Sequence, residues 1–317
     1  MKVGFIGLGN VGSKLAGSLL RNRHDITVFD LDPATVAAFE ERGAQRAVSP
    51  RALAEAVDVV ITCLPSPAAT AAVVEGEDGF LAVLGPGKTW LEMSTTDYSE
   101  VIRLGALVAA TGAQMMECPV SGGCHRADTG NIAIFAGGLR KTFEIVLPLL
   151  TTMGRRILHT GALGTASQLK VMTNYLCTVH LVALAEALTT CKAAGLDMNT
   201  AYEAIRISSG NSFVHETESQ IILNGSRDIN FTMDLVSKDI ELFDDIAQEH
   251  HVPVELSPLI VGIFRDAQHR FGPREHSPNI IRRYEEPLGI KVLGSGFPEQ
   301  IIDDEPEEPG YEVVPRR

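Results

Sequence analysis

The chain opens on a short apolar run, Lys2-Val-Gly-Phe-Ile6, that breaks at once into a glycine turn. Such a run predicts a buried strand. Residues 10–22 then place small and apolar side chains on one helical face. Ile26-Thr-Val-Phe-Asp30 predicts a second strand, which completes a βαβ unit. The alternation continues with helices near 33–42 and 50–56 and a strand at Val57–Leu64. A strand at Thr89–Met93, a helix near 97–111, strands near 114–117 and 132–135, a helix near 140–152 and a strand near 156–159 follow. This alternation predicts an α/β domain with a doubly wound, mostly parallel sheet.

The pattern changes near residue 162. From Thr165 to Ala194 runs a mostly apolar segment without Pro or Gly, closed by Gly195 as a helix C-cap. A helix of that length, apolar over most of its surface, is buried on several sides. Helical patterns follow near 198–208, 212–224, 232–249 and 256–270, with no further series of strands. The expected organisation is a nucleotide-type α/β domain at 1–163, an all-α domain at 164–287 and an extended acidic tail at 288–317, with the long helix joining the two domains. Asp303-Asp-Glu-Pro-Glu-Glu308 is nearly all acidic, and such runs are usually solvated and mobile.

Composition narrows the function. The 317 residues carry a net charge of −13, the wrong sign for a nucleic-acid partner. The five cysteines form no CxxC pair and no Cys/His cluster, so free thiols and no metal are expected. The N-terminus lacks the features of a signal peptide, and no apolar run reads as a membrane span. A cytoplasmic protein without a membrane partner is expected.

Gly7-Leu8-Gly9-Asn10-Val11-Gly12 is G-x-G-x-x-G between a predicted strand and a predicted helix. Gly7 permits the tight turn, Gly9 lets the backbone approach a pyrophosphate, and Gly12 lets helix and strand pack closely. The helix N-terminus offers N–H groups to the anion. This is the Rossmann fingerprint. Asp30, 18 residues beyond Gly12, ends the second strand, where a carboxylate accepts from ribose hydroxyls and repels a 2′-phosphate. NAD is therefore expected over NADP. The competing role for Asp30, capping the next helix, fits Asp32 before Pro33 better.

Three further segments carry chemistry. Pro119-Val-Ser121-Gly122-Gly123 offers a hydroxyl and closely spaced N–H groups to a carboxylate, although glycine pairs also make plain turns. Gly161-Ala-Leu-Gly164 precedes a helix on which Lys170 and Asn174, four apart, share a face. That helix begins where the two domains should meet, and clefts at such junctions often hold ligands. Burial lowers a lysine pKa toward the range useful for proton transfer. Phe231 to Lys238-Asp239 is the third segment.

In this order the segments resemble the β-hydroxyacid dehydrogenase family, which includes 3-hydroxyisobutyrate dehydrogenase and tartronate semialdehyde reductase. The resemblance runs over residues 2 to 287. It implies a small hydroxy acid or semialdehyde as substrate, with Lys170 exchanging a proton with its hydroxyl and Asn174 hydrogen-bonding it. It implies that Ser121, Gly122 and Gly123 hold the substrate carboxylate. Leu64, Pro65 and Thr95 are implied on the nicotinamide side and Lys238 over the cofactor, with Asp239 structural. The apolar long helix suggests a homodimer or homotetramer.

The chain departs from the family pattern at three points. Ala166 stands where a third glycine is usual. Arg126 stands at a position that is usually small; it either meets a second polar or anionic group of the substrate or lies on the loop rim. Some 30 residues extend past the usual end. Two other readings share the fold. Imine reductases typically lack a lysine at the catalytic position, and a non-catalytic dinucleotide sensor has no need of Lys170, Asn174 and the Ser121 loop.

Overall fold

In the computed structural model, residues 1–316 are described. The first unit runs from Met1 to Lys170 and regains the chain from Asp303; the second is Val171–Ile302. The first contains β1 (Val3–Ile6), α1 (Gly12–Arg21), β2 (Ile26–Phe29), α2 (Pro33–Glu41), β3 (Gln45–Arg46) and α3 (Pro50–Ala56). Then come β4 (Val59–Thr62), α4 (Pro67–Glu75), β5 (Thr89–Glu92), α5 (Tyr98–Ala110), β6 (Gln114–Glu117) and β7 (Val120–Ser121). Next are α6 (Gly123–Thr129), β8 (Ala133–Gly138), α7 (Arg140–Met153), β9 (Arg156–Gly161) and α8 (Thr165–Ala193). The second unit continues α8 and adds α9 (Met198–Arg206), α10 (Phe213–Asn224), α11 (Met233–Glu249), α12 (Leu256–Phe271) and α13 (Arg282–Leu288). The last strand, β10 (Tyr311–Glu312), belongs to the first unit.

The sheet order is β10-β9-β8-β6-β5-β4-β1-β2-β3, with β7 on β8. Its β3-β2-β1-β4-β5-β6 part is parallel and doubly wound, as the alternation predicts. β8 runs antiparallel to β6, so the sheet reverses direction there. Val3, Phe5, Val28 and Ile61 fill one face of the sheet against α1; Ile6, Val60 and Trp90 fill the other. Three short helices, α4, α6 and α13, escape the sequence pattern. Four of the nine residues of α4 are alanine, α6 follows the glycine pair Gly122–Gly123, and α13 is mostly charged and carries Pro287, so none shows a clear apolar stripe.

The long helix ends as its sequence predicts. Gly195 adopts φ +79°, and its N–H donates to the carbonyl of Lys192. α8 is nonetheless long and apolar enough to cross a membrane by length and composition, which corrects the expectation that no segment reaches that size. Polar residues in its first half, from Ser167 to Asn174, mask the run. Leu181, Ala185 and Leu188 from this helix lie in the core of the second unit with Val236, Ile240 and Phe264.

Two buried carboxyls stand out in the second unit. Glu285 is fully buried and accepts two bonds from Arg227 Nη2, at 2.9 and 2.7 Å, and one from the Val292 N–H at 2.7 Å. Glu218, on α10, is 4 % exposed; its Oε1 accepts from the Cys177 thiol at 3.9 Å, and its Oε2 accepts no hydrogen bond among the described residues. Burial pushes its pKa up to about 8. The folded state therefore holds a proton that the unfolded chain has lost, and stability falls as pH rises from the ordinary carboxyl range toward 8. Glu218→Gln removes this dependence. Relative to pH 5, the stability difference should shift by roughly 4 kcal/mol in favour of Glu218→Gln by pH 8, read from urea unfolding at each pH. Parallel pH profiles would show that Glu218 is already ionised in the fold.

The acidic tail is not a free segment. The Tyr311 and Val313 N–H groups donate to the carbonyls of Arg155 and Ile157, adding β10 parallel to β9. Glu305 pairs with Arg126 and Arg156, Glu307 with Arg21, Glu308 with Arg155 and Glu312 with Arg140. Composition alone predicts a solvated run because it counts the tail's carboxylates without the arginines that meet them. Gly310 is required where it lies: a Cβ there would sit 2.0 Å from the Gly154 carbonyl oxygen.

Candidate functional site

The glycine motif occupies the turn from β1 into α1, next to β4, where the strand order reverses direction. Each glycine has its own physical reason. Gly7 adopts φ +93°, and a Cβ there would lie 2.3 Å from the Cys63 carbonyl oxygen. A Cβ on Gly12 would lie 2.0 Å from the Gly7 carbonyl oxygen. A Cβ on Gly9 would meet nothing within 4 Å, and Gly9 and Asn10 are exposed. The first and third glycines therefore serve packing, and the second faces open space where a phosphate backbone can approach. Val11, the N-cap of α1, gives no side-chain cap, which leaves the helix's first turn suited to an anion.

Asp30 follows β2. One carboxylate oxygen accepts from the Leu8 N–H at 2.6 Å, the other from the Asp32 N–H at 2.8 Å. Asp32, not Asp30, caps α2, accepting from the Ala34 N–H. Asp30 thus ties the glycine turn to the end of β2 while staying partly exposed. These residues fit a dinucleotide: a glycine cradle, a helix start without a side-chain cap and a carboxylate fixed at the end of β2.

Leu64 rests on a polar network that sequence reasoning missed, and Thr95 directly follows its Ser94. The Leu64 N–H donates to Ser94 Oγ at 2.8 Å, and the Ser94 N–H donates to Glu92 Oε1 at 2.7 Å. Glu92 Oε2 accepts from Thr62 Oγ1 at 2.6 Å, and that hydroxyl accepts from Trp90 Nε1 at 2.7 Å. Glu92 is 1 % exposed, and burial pushes its pKa up against these hydrogen bonds. Pro65, next to Leu64, is exposed. A glutamate inside an apolar strand was the available signal.

The Ser121 loop continues β6 through β7, where Val120 pairs with Ile134 and Ser121 with Ala133. Gly122 and Gly123 adopt φ +131° and +85°, so side chains there would be strained. Glu117, four residues before Ser121, is fully buried and reaches the start of α8. Its two oxygens accept from the Ala166 N–H at 3.0 Å and the Ser167 N–H at 2.9 Å, and one also accepts from Ser167 Oγ. Burial pushes the Glu117 pKa up, opposed by these donors. The carboxyl supplies the first turn of α8 with acceptors its own backbone lacks. Lys170 lies one turn on from Ala166 and is 7 % exposed. One residue therefore joins the strand that delivers the Ser121 loop to the helix that carries Lys170. Ala166, in place of a third glycine, keeps its N–H in that contact.

Asn174 lies a further turn along α8. Its Nδ2 donates to Asp239 Oδ2 at 2.5 Å, and Lys238 Nζ lies 3.0 Å from Asp239 Oδ1. Asp239 is 2 % exposed. The two sequence-selected residues of the second unit thus meet through the neighbour that was read as structural, and Asp239 fixes which way the Asn174 amide faces. Arg126, on α6, lays its stem against Gly122; a Cβ on Gly122 would come within 3.2 Å of Arg126 Cδ. Its guanidinium meets Glu305 of the tail at 3.3 Å.

Comparison with known proteins shows which family the chain resembles along its length. The model of the NAD binding domain of 6-phosphogluconate dehydrogenase matches residues 2–161. That of the NAD-binding domain of NADP-dependent 3-hydroxyisobutyrate dehydrogenase matches residues 164–284. The chain is 32 % identical over 295 residues to 2-(hydroxymethyl)glutarate dehydrogenase of Eubacterium barkeri, covering 93 % of this chain and 98 % of that protein. It is 33 % identical over 270 residues to mitochondrial 3-hydroxyisobutyrate dehydrogenase of Mus musculus, covering 83 % and 81 %. The crystal structure of 3-hydroxyisobutyrate dehydrogenase from Salmonella typhimurium superimposes with a TM-score of 0.82 at 27 % identity, over 89 % of this chain and 99 % of that one. The glycine cradle, the Ser121 loop and the lysine helix, with these matches along nearly the whole chain, show that it belongs to the β-hydroxyacid dehydrogenase family of nicotinamide-dependent oxidoreductases.

Proposed function

We propose that this enzyme oxidises a small hydroxy acid, or reduces the matching semialdehyde, with NAD as its preferred dinucleotide and Lys170 as general acid/base. The observation that carries the reading is the Glu117 link between the Ser121 loop and the first turn of α8. It gives two groups of complementary chemistry, an anion-binding loop and a buried amine, a common rigid support.

Ser121, Gly122 and Gly123 hold the substrate carboxylate through the hydroxyl and backbone N–H groups. Lys170 takes the hydroxyl proton as oxidation proceeds and returns it in reduction. Asn174, oriented by Asp239, hydrogen-bonds the substrate hydroxyl region. Leu64, Pro65 and Thr95 line the nicotinamide, Lys238 closes over the dinucleotide, and Arg126 stands at the rim of the Ser121 loop, where a second substrate group would meet it. Bound nicotinamide supplies or receives the hydride. Leu169 and Leu176, exposed on α8, are apolar positions for subunit contact in a homodimer or homotetramer.

The test is turnover of a hydroxy-acid panel with NAD and NADP in parallel, including 3-hydroxyisobutyrate, serine and 2-(hydroxymethyl)glutarate. NAD-linked turnover of one or more is expected; tight NAD binding without turnover would move the chain to the sensor reading. Asp30 sets the dinucleotide preference. Asp30→Asn keeps the size of the side chain and removes its charge, so the NAD-to-NADP ratio of kcat/KM should fall by ~10-fold. An unchanged ratio would take Asp30 out of ribose recognition.

A further inference from the structure

The tail carboxylate on Arg126 has chemical consequences for the substrate. Arg156, at the start of β9, holds Glu305 with two bonds, 3.1 and 3.2 Å, from its two terminal nitrogens. Arg126 holds the same carboxylate by one contact at 3.3 Å. The Arg156 guanidinium hydrogen-bonded to Glu305 keeps that carboxyl below its ordinary pKa, so it is ionised at neutral pH. The tail is anchored on either side of this point. Asp303 accepts from Thr129 and from Asn131 Nδ2, and Glu312 accepts from Arg140. The position is level with the substrate loop: Ser121 pairs with Ala133, Ala133 with Arg156, and Arg156 with Tyr311 in one row across the sheet.

We propose that Glu305 is a specificity-determining residue, an internal carboxylate that occupies Arg126 and so selects hydroxy acids with one negative group over those with two. A second substrate carboxylate must take Arg126 from Glu305 and then lie near a fixed negative charge. Glu305 stays in place through Arg156, so the exchange repels the dianion instead of releasing the tail. A substrate with a single carboxylate uses the Ser121 loop alone and leaves the pair intact. This inference rests on the reading of the Ser121 loop and Arg126 as substrate contacts.

The experiment compares kcat/KM for 2-(hydroxymethyl)glutarate and 3-hydroxyisobutyrate in the full-length enzyme, Glu305→Gln, Glu305→Gln/Arg126→Gln and Glu312→Gln. The dianion-to-monoanion ratio should rise about five- to tenfold in Glu305→Gln, the size of one partly exposed ion pair. It should return to the wild-type value in the double variant. Glu312→Gln loosens the tail at Arg140 without touching Arg126, and its ratio should stay at the wild-type value. A ratio that does not rise in Glu305→Gln, or that rises equally in Glu312→Gln, overturns the proposal. Thermal shift with malonate against acetate gives a readout independent of turnover. Malonate should stabilise Glu305→Gln more than wild type, and the gain should vanish with Arg126→Gln. Equal malonate shifts overturn the proposal even if activity on hydroxy acids is absent, whereas absent activity alone counts against the functional reading.

Discussion

Replacing Lys170 with alanine should lower kcat by ~10²–10⁴ while NAD affinity stays nearly unchanged. The lysine is buried, and the turn it stands on is fixed by Glu117 through the Ala166 and Ser167 N–H groups. Alanine keeps the helix and removes only the amine, and the glycine cradle at Gly7–Gly12 is left untouched. Steady-state kinetics and NAD titration of the same preparation separate the two effects. Equal loss of NAD binding and turnover would mean that Lys170 holds the fold or the cofactor and does not carry the proton.

Replacing Glu285 with alanine should cost the second unit about 3–5 kcal/mol, because Arg227 is left as an uncompensated buried charge. The Val292 N–H loses its acceptor at the same time. Urea unfolding followed by circular dichroism reads the change as a lower midpoint. Arg227→Met with Glu285→Leu should recover much of the loss, since apolar side chains of similar size often replace a buried pair without penalty. A single variant with an unchanged midpoint would show that water reaches Arg227.

Much of this was legible in the sequence because it follows from local rules. Strand and helix periods located the βα alternation, and G-x-G-x-x-G marked the turn that Gly7 and Gly12 make sterically necessary. Asp32 read correctly as a cap because an Asp-Pro pair has that meaning wherever it stands. What stayed hidden depends on partners distant in sequence. Glu117 reads as one more residue before a loop until α8 brings two N–H groups to it, 49 and 50 residues away. Glu305 reads as part of a solvated acidic run until Arg156, 149 residues before it, comes alongside. Asp239 reads as structural with no partner named until Asn174 meets it. Reversal of the sheet at β8 is likewise a matter of pairing, which the apolar pattern of a strand does not encode.

Transfer of a label from substrate to cofactor tests the central claim most directly. A hydroxy acid that turns over, deuterated at its carbinol carbon, would be mixed with NAD and enzyme in ordinary water, and the reduced nicotinamide weighed by mass spectrometry. One deuterium per reduced nicotinamide is the expected result: in the proposed mechanism the hydrogen passes straight from carbon to carbon, and Lys170 handles only the exchangeable proton. Reduced nicotinamide without deuterium would contradict direct hydride transfer, and with it the role assigned to this site.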